Sequence, residues 1–192
     1  MSNHWKRLAV AAMFAAAGLI TYIGTRDLQV KPDRREFVLQ GVDGAKVSLD
    51  RFKGKWVLLF FGFTSCPDVC PTTLLNIANT LDAMGDAAKG VQPVFITVDP
   101  ERDTGPVLKD YLSNFGGGVV GLTGSAKEIA LAAARYQTFY SKRVTEDGYT
   151  VDHSTAIALI SPDGVYLRAF RPDEDPDDFA KELLAIMKKT PA

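Results

Sequence analysis

The sequence contains few side chains that bind transition metals: of its 192 residues, only two are cysteine and two are histidine. It also lacks an excess of either charge, since its formal net charge is −1. That balance argues against a nucleic-acid partner, which requires a basic surface. The glycine triplet at 116–118 lacks the strand, the GxxxxGK pattern and the helix of a phosphate-binding loop. No internal repeat or low-complexity tract is visible.

Both cysteines lie where a strand pattern gives way to a helix pattern. The apolar run at 56–63, which includes aromatic and β-branched residues, predicts a fully buried strand. From 72 to 84 the apolar side chains recur at helical spacing, and Pro71 suits the first helical position. Cys66 and Cys70 are therefore expected at a strand–turn–helix junction, where the N-terminus of a helix favours a thiolate.

The spacing of the cysteines allows two kinds of chemistry. Because they stand at positions i and i+4, one turn of helix would place both sulfurs on the same side. They could then close a disulfide or bind one metal ion, and soft thiolates select copper(I), zinc or iron–sulfur. Two ligands rarely complete a metal site, so a third ligand is expected from elsewhere in the chain.

Histidine is the natural source of a third ligand, and the sequence offers His4 and His153. His4 lies in an N-terminal tail ahead of an apolar segment, which makes it a poor candidate. His153 comes just before the apolar run 156–160, and a loop that enters a strand commonly carries a ligand or a catalytic group. Because the cysteine pair needs a partner, we expect His153 to be a ligand rather than a histidine that only hydrogen-bonds its loop.

Three segments, at 62–71, 98–104 and 151–156, occur in the order found in one protein family. They read GFTSCPDVCP, VDPERDT and VDHSTA. Through them the sequence resembles the SCO/SenC family of thioredoxin-like copper chaperones for cytochrome c oxidase assembly, over roughly residues 36–188. The resemblance implies copper, chiefly Cu(I) with Cu(II) as a second form, held by Cys66, Cys70 and His153.

The resemblance also implies partners, namely the copper-site subunit of cytochrome c oxidase and other copper carriers or thiol reductases. Gly105 departs from the family, in which a proline is commoner at that place. This change is expected to loosen a loop and to affect no ligand. The four methionines form no cluster, so no second, methionine-based copper site is expected.

Three other functions fit parts of the pattern. A membrane-anchored thiol–disulfide oxidoreductase would use Cys66 and Cys70 as its redox pair and would reduce cysteines of the oxidase copper site. However, three residues separate the cysteines, and 153–155 holds no proline, where redox members of the fold carry a cis-proline. A thiol peroxidase is disfavoured because Leu59 and Phe63 occupy the Pro and Thr positions of its motif. Structural zinc is disfavoured because three ligands leave one position open. We expect a metallochaperone rather than an enzyme, with the reductase as the alternative.

An uncharged segment at 8–23 follows Lys6 and Arg7, which predicts a signal peptide or a signal anchor. The apolar run continues past the small residues 15–17, so an uncleaved transmembrane anchor is favoured. The expected organisation is an anchor at 1–25, a linker at 26–35 and a thioredoxin-like copper-binding domain at 36–192. The domain would face the periplasm from the bacterial inner membrane, or the intermembrane space from the mitochondrial inner membrane.

The rest of the pattern predicts an α/β fold. The expected elements are a β-hairpin at 37–49, strands at 56–63, 91–98, 119–122, 155–160 and 165–170, and helices at 72–84, 106–115, 126–136 and 175–189. Asp43-Gly44 is a hairpin turn signal, and Ser125 with Glu128 fits a capping box. Core packing is expected for three aromatic residues, Tyr136, Phe139 and Tyr140. The segment 145–149 is expected as a polar turn, and the whole as a thioredoxin-like sheet with an inserted strand and helix.

Four acidic residues near the three segments have structural interpretations. Asp103, or Thr104 beside it, is expected to cap the following helix. Asp99 and Glu101 are poor ligand candidates, because hard oxygens suit copper(I) badly. Asp152 is either a group that supports His153 or a solvated loop carboxylate.

Overall fold

The computed structural model describes residues 33, 35–116, 118–146 and 148–190. Within these residues the chain forms nine strands and four α-helices. The strands are β1 (Val38–Gly41), β2 (Lys46–Ser48), β3 (Trp56–Gly62), β4 (Val91–Thr97), β5 (Val120–Thr123), β6 (Tyr140–Thr145), β7 (Gly148–His153), β8 (Ile157–Ile160) and β9 (Tyr166–Phe170). The helices are α1 (Val69–Met84), α2 (Gly105–Leu112), α3 (Ala126–Arg135) and α4 (Pro176–Lys189).

Seven of the strands form one mixed sheet in the order β2-β1-β5-β4-β3-β8-β9. Strands β3 and β4 are parallel, from Trp56 opposite Val91 to Gly62 opposite Thr97, and β8 is antiparallel to β3 on its other side. All seven residues of β3 are buried, as expected for a central strand that is covered on both faces. Because β3 and β4 run in the same direction, the segments that follow them emerge at the same edge of the sheet.

Helices α1 and α4 pack against each other. Each turns one apolar face inward: Leu74, Ile77 and Leu81 of α1 are buried, as are Phe179 and Leu183 of α4. The three- and four-residue spacing of these side chains is what makes both segments helical in this context. Each such side chain contributes about 1.5–3 kcal/mol when it is fully buried. This packing fixes α1, the helix that begins at the cysteines.

Most of the predicted elements are present, including the first hairpin, the β3–α1–β4 unit and the strand pair β8–β9. The capping box is also confirmed, since Ser125 Oγ accepts the N–H of Glu128 at 3.3 Å and the Glu128 carboxylate accepts the N–H of Ser125 at 2.8 Å. The predicted start of α1 at Pro71 is wrong, because the helix begins at Val69. A proline in the first turn of a helix breaks no intrahelical hydrogen bond, so the helix extends past it and includes Cys70.

The hairpin formed by β6 and β7 was not predicted, because 145–149 was expected to be a polar turn alone. The two strands pair antiparallel from Tyr140 opposite His153 to Thr145 opposite Gly148, and they form a sheet of their own. Nearly every residue of β6 is exposed, so the alternation of apolar and polar residues that marks a strand is missing. His153 is therefore the last residue of a strand and not part of an irregular loop.

The expected membrane anchor at 1–25 lies outside the described residues, as does most of the expected linker. Among the residues that the structure describes, no helix has both the length and the apolar character needed to cross a membrane. The described chain starts at the edge strand β9, where Tyr166 donates its N–H to the carbonyl of Asp33 at 2.9 Å. The Arg35 guanidinium then lies 3.5 Å from the centre of the Tyr166 ring, a cation–π contact that holds this segment on the domain.

Candidate metal site

The loop that holds Cys66 connects the end of β3 with the start of α1. The N–H of Cys66 donates to the carbonyl of Phe63 at 3.2 Å, which closes a tight turn. Cys70 is the second residue of α1, and its N–H donates to the Cys66 sulfur at 3.4 Å. Both cysteines are free thiols, Cys70 fully buried and Cys66 partly exposed. The turn at Cys66 and the first turn of α1 thus bring the two sulfurs together, on the same side as the i, i+4 spacing predicts.

The last residue of β3, Gly62, makes room for the buried sulfur. A Cβ atom at this position would lie 2.9 Å from Cys70 Sγ and 2.7 Å from the ring of Phe95. Both distances are too short for carbon at van der Waals contact. The absence of a side chain at Gly62 therefore allows the cysteine to pack directly against the sheet.

The ring of His153 faces the buried sulfur from the other side. Its Nε2 lies 3.4 Å from Cys70 Sγ, and its Nδ1 donates to the carbonyl of Ser154 at 2.8 Å. This second hydrogen bond selects the tautomer in which Nε2 carries a lone pair directed at the sulfur. Phe60 and Phe63 pack edge-on against the imidazole, with ring centres 6.2 and 5.7 Å away. The Nε2 lone pair of His153 is thus directed at the Cys70 sulfur by contacts within the protein itself.

The two sulfurs and a nitrogen of His153 lie within 4.8 Å of one another. Burial raises the pKa of the Cys70 thiol above its usual range, and the nearby Cys66 sulfur and Asp103 carboxylate add to the rise. Burial also lowers the pKa of His153. At neutral pH the pocket therefore holds a protonated Cys70 and a neutral imidazole, and a cation that binds there displaces the thiol proton. This donor set suits a soft cation.

Asp103, in the turn after β4, holds the cysteine loop by hydrogen bonds to Thr64. It is fully buried and accepts three hydrogen bonds, from the N–H of Thr64 at 3.0 Å and from the hydroxyls of Thr64 and Thr97 at 2.6 Å each. Of the two residues predicted to cap α2, Thr104 is its N-cap residue, without a side-chain hydrogen bond, and Asp103 is not. Sequence reasoning missed this role because the contact joins residues 39 positions apart, which no local pattern reports.

The other acidic residues make contacts away from the sulfurs. Asp99 is fully buried and accepts a hydrogen bond from β7. Glu101 forms an ion pair with Lys142 at 2.6 Å. Asp152 is exposed and forms an ion pair with Arg143 at 3.0 Å, so it is the solvated carboxylate of the two alternatives.

The aromatic residues at 136–140 behave differently from one another. Tyr136 is buried and its ring centre lies 5.8 Å from that of Phe61, which confirms the expected core packing. Tyr140 is partly buried against the core. The same prediction is wrong for Phe139, whose side chain is 65% exposed. Its backbone serves the site instead, because its N–H donates to Ser154 Oγ at 3.1 Å and its carbonyl accepts the N–H of Ser154 at 2.9 Å.

The central β3–α1–β4 unit, with the parallel strand β5 beside β4 and antiparallel strands beyond β5 and beside β3, defines a thioredoxin-like α/β fold, and solved structures share it. The crystal structure of Arabidopsis thaliana ScoI with copper bound matches with a TM-score of 0.77 at 37% identity, over 81% of this chain and 98% of that one. BsSco, described as a member of the Sco family of cytochrome c oxidase assembly proteins, matches with a TM-score of 0.64 at 28% identity, over 80% and 90% of the two chains.

The family model named SCO1/SenC matches residues 26–188, and the chain belongs to that family. The mitochondrial SCO2 homolog of Bos taurus is 43% identical over 144 residues, which cover 70% of this chain and 54% of that protein. This chain spans about half the length of the mitochondrial relatives that it matches. The resemblance carried by the three sequence segments is thereby confirmed.

Proposed function

We propose that this protein is a copper metallochaperone that binds Cu(I) through Cys66, Cys70 and His153 and helps to load the copper centre of cytochrome c oxidase. The observation that carries the proposal is the gathering of two sulfurs and one imidazole nitrogen within 4.8 Å, on segments far apart in the sequence. The relatives support it, since one ScoI structure holds copper and BsSco is described as belonging to a family of oxidase assembly proteins.

The different exposure of the two cysteines suits a site that must release its cargo. Cys70 is fully buried, whereas Cys66 is partly exposed beside it. Copper(I) can be bound by only three soft ligands, which leaves room at the metal for another. Ligands of an acceptor protein can therefore bind the metal before the first ligands leave. We therefore expect the copper centre of the acceptor to approach from the side of Cys66.

A thiol–disulfide oxidoreductase is the second candidate. It is favoured by the two free thiols, one partly exposed in the loop before α1 and one buried in the first turn of that helix. It leaves His153 without a role, although the ring is held with its lone pair towards Cys70. The metallochaperone uses all three groups and is therefore the better proposal.

We further propose that residues 1–25 anchor the protein in a membrane, with the copper-binding domain outside the cytoplasm. The uncharged segment at 8–23 supports the anchor, because its length approaches that of a membrane span. Fractionation of cells that express the full-length chain should place it with the membranes, resistant to extraction by salt or alkali. Recovery of the intact chain in the soluble fraction would contradict the anchor.

His153→Ala separates the two candidate functions. We expect this variant to bind Cu(I) at least tenfold more weakly, because a lost ligand bond is worth more than 1.4 kcal/mol, and to fail in oxidase maturation. Its dithiol should still exchange with a glutathione buffer, since a disulfide needs only the cysteines. Competition with a Cu(I) chelator measures the affinity, and X-ray absorption of the wild type should show two sulfur ligands and one nitrogen.

Two variants complete the comparison. His4→Ala removes the other histidine and should leave Cu(I) affinity unchanged, whereas Cys66→Ser should abolish both copper binding and thiol exchange. If His153→Ala retained full copper affinity and oxidase maturation, the proposed site would be wrong. If that variant bound Cu(I) weakly but kept thiol exchange and still matured the oxidase, the oxidoreductase would replace the chaperone.

A further inference from the structure

The hairpin that carries His153 stands apart from the main sheet. Strands β6 and β7 pair only with each other among the described residues, so no ladder of backbone hydrogen bonds ties them to the seven-stranded sheet. Cys66 and Cys70, by contrast, come directly after β3, the central strand of the seven-stranded sheet. The distance between the imidazole and the two sulfurs therefore depends on side-chain contacts between the hairpin and the body of the domain.

Tyr149 of β7 makes three of these contacts. Its hydroxyl donates to Oδ1 of the fully buried Asp99 at 2.9 Å, and its backbone carbonyl accepts Nη1 of Arg102 at 3.0 Å. The Arg102 guanidinium also lies 3.9 Å from the centre of the Tyr149 ring and forms an ion pair with Asp99. One residue of the hairpin is thus held by its hydroxyl, its carbonyl and its ring face.

Asp99 and Arg102 belong to the turn that follows β4, and the same turn holds the cysteine loop. The backbone carbonyl of Asp99 accepts the N–H of Asp103 at 2.9 Å, so the turn holds the two residues in a fixed relation. Asp103 in turn bonds Thr64, two residues before Cys66. A single turn of the body therefore sets the positions of both halves of the site, although none of its residues lies among the sulfur and nitrogen ligands.

We propose that Tyr149 and Arg102 are positioning residues that clamp the hairpin and thereby set how fast copper leaves the site. The inference rests on the proposed copper binding. Departure of His153 from the metal requires the hairpin to lift from the body, and the rate of transfer is then proportional to the fraction of time that the hairpin is open. A hydrogen bond to a charged acceptor changes such an equilibrium by about tenfold or more.

Tyr149→Phe removes only the hydroxyl and keeps the ring under Arg102. We expect the full-length variant, loaded with Cu(I), to pass its metal to an excess of a coloured Cu(I) chelator about tenfold faster than the wild type. In the metal-free variant, amide protons of β6 and β7 should exchange faster by a similar factor, while those of β3 and β4 exchange as in the wild type. The metal-free measurement reports the clamp independently of copper.

Ser161→Ala is the matched control. It also removes a hydroxyl that donates a hydrogen bond to a carboxylate, that of Asp163, but at the opposite end of the sheet from the cysteines. It should lower overall stability without changing the transfer rate or the relative exchange of the hairpin. Arg102→Lys is a second test, because it keeps the charge beside Asp99 but loses the bond to the Tyr149 carbonyl and the stacked plane.

Faster transfer and faster hairpin exchange in Tyr149→Phe and Arg102→Lys, but not in Ser161→Ala, would establish the clamp. Wild-type rates in Tyr149→Phe, or equal acceleration in Ser161→Ala, would overturn it. If the wild type bound no Cu(I), the proposed function would fail. The clamp would then stand or fall on hairpin exchange in the metal-free chain, so the two failures can be told apart.

Discussion

The three proposed ligands differ in how much freedom the surrounding residues leave them. Cys70 is fixed by burial and by its place in the first turn of α1, and the ring of His153 is fixed by the carbonyl of Ser154. Cys66 is partly exposed and closes its own turn with Phe63. A cargo site needs this combination, because two fixed ligands define the metal position and the accessible one allows exchange.

Gly62→Ala tests how closely the cysteine is packed against the sheet. The added methyl group would collide with Cys70 Sγ and the Phe95 ring, at 2.9 and 2.7 Å, and both lie in the rigid core. We expect the free energy of unfolding to fall by about 1–3 kcal/mol and Cu(I) affinity to fall with it, since the sulfur must move. Chemical denaturation and chelator competition measure the two effects.

Gly90→Ala provides the matched control for that substitution. A Cβ at Gly90 would meet only Met187 Cε, at 3.8 Å, which is ordinary van der Waals contact. Both stability and copper affinity should stay close to those of the wild type. Equal behaviour of the two alanine variants would show that the space at Gly62 is not required by the cysteine.

At the scale of elements, the sequence predicts the parts of the site that depend on local patterns. The buried run of β3 and the periodic apolar face of α1 place Cys66 and Cys70 at their junction without reference to the rest of the chain. The hairpin of β6 and β7 is different. Strand β6 is exposed and carries no apolar alternation, so the pairing that makes 148–153 a strand is visible only in three dimensions.

The turn after β4 shows the same limit for side-chain contacts. Locally, Asp103 reads as a helix cap, which is the common role of such a residue before a helix, and Asp99 as a poor ligand candidate. In the folded chain Asp103 reaches Thr64, and Asp99 reaches Tyr149 across 50 positions. These bonds depend on the parallel pairing of β3 and β4, which brings the ends of both strands to one edge. Local sequence cannot specify these hydrogen bonds.

For the molecule as a whole, the burial of ionisable groups predicts how its stability depends on pH. Burial lowers the pKa of His153 below its ordinary value of 6.5. The unfolded chain therefore takes up a proton at a pH where the folded chain does not. Stability from this group is present above pH 6.5 and is lost as the pH falls below that value.

The pH dependence of stability has the opposite sign for three buried acidic groups, Cys70, Tyr111 and Tyr136. Burial raises the pKa of each above its ordinary value, which is 9.0 for the thiol and 10.0 for the phenols. The unfolded chain loses these protons first as the pH rises. Their contribution is complete below the ordinary values and is lost above them, beginning near pH 9.0 with the thiol.

The metal-free, reduced chain should therefore be most stable between pH 6.5 and pH 9.0, with a decline on each side. Denaturant unfolding across a series of pH values measures this profile. His153→Gln removes the imidazole and should reduce the decline between pH 6.5 and about pH 5, where carboxylates contribute little. Tyr136→Phe removes one of the phenols whose pKa is raised, and it should reduce only the loss of stability at alkaline pH. An acid decline that is equally steep in His153→Gln would mean that the buried imidazole does not cause it, and that the ring in the folded chain is as easily protonated as in the unfolded one.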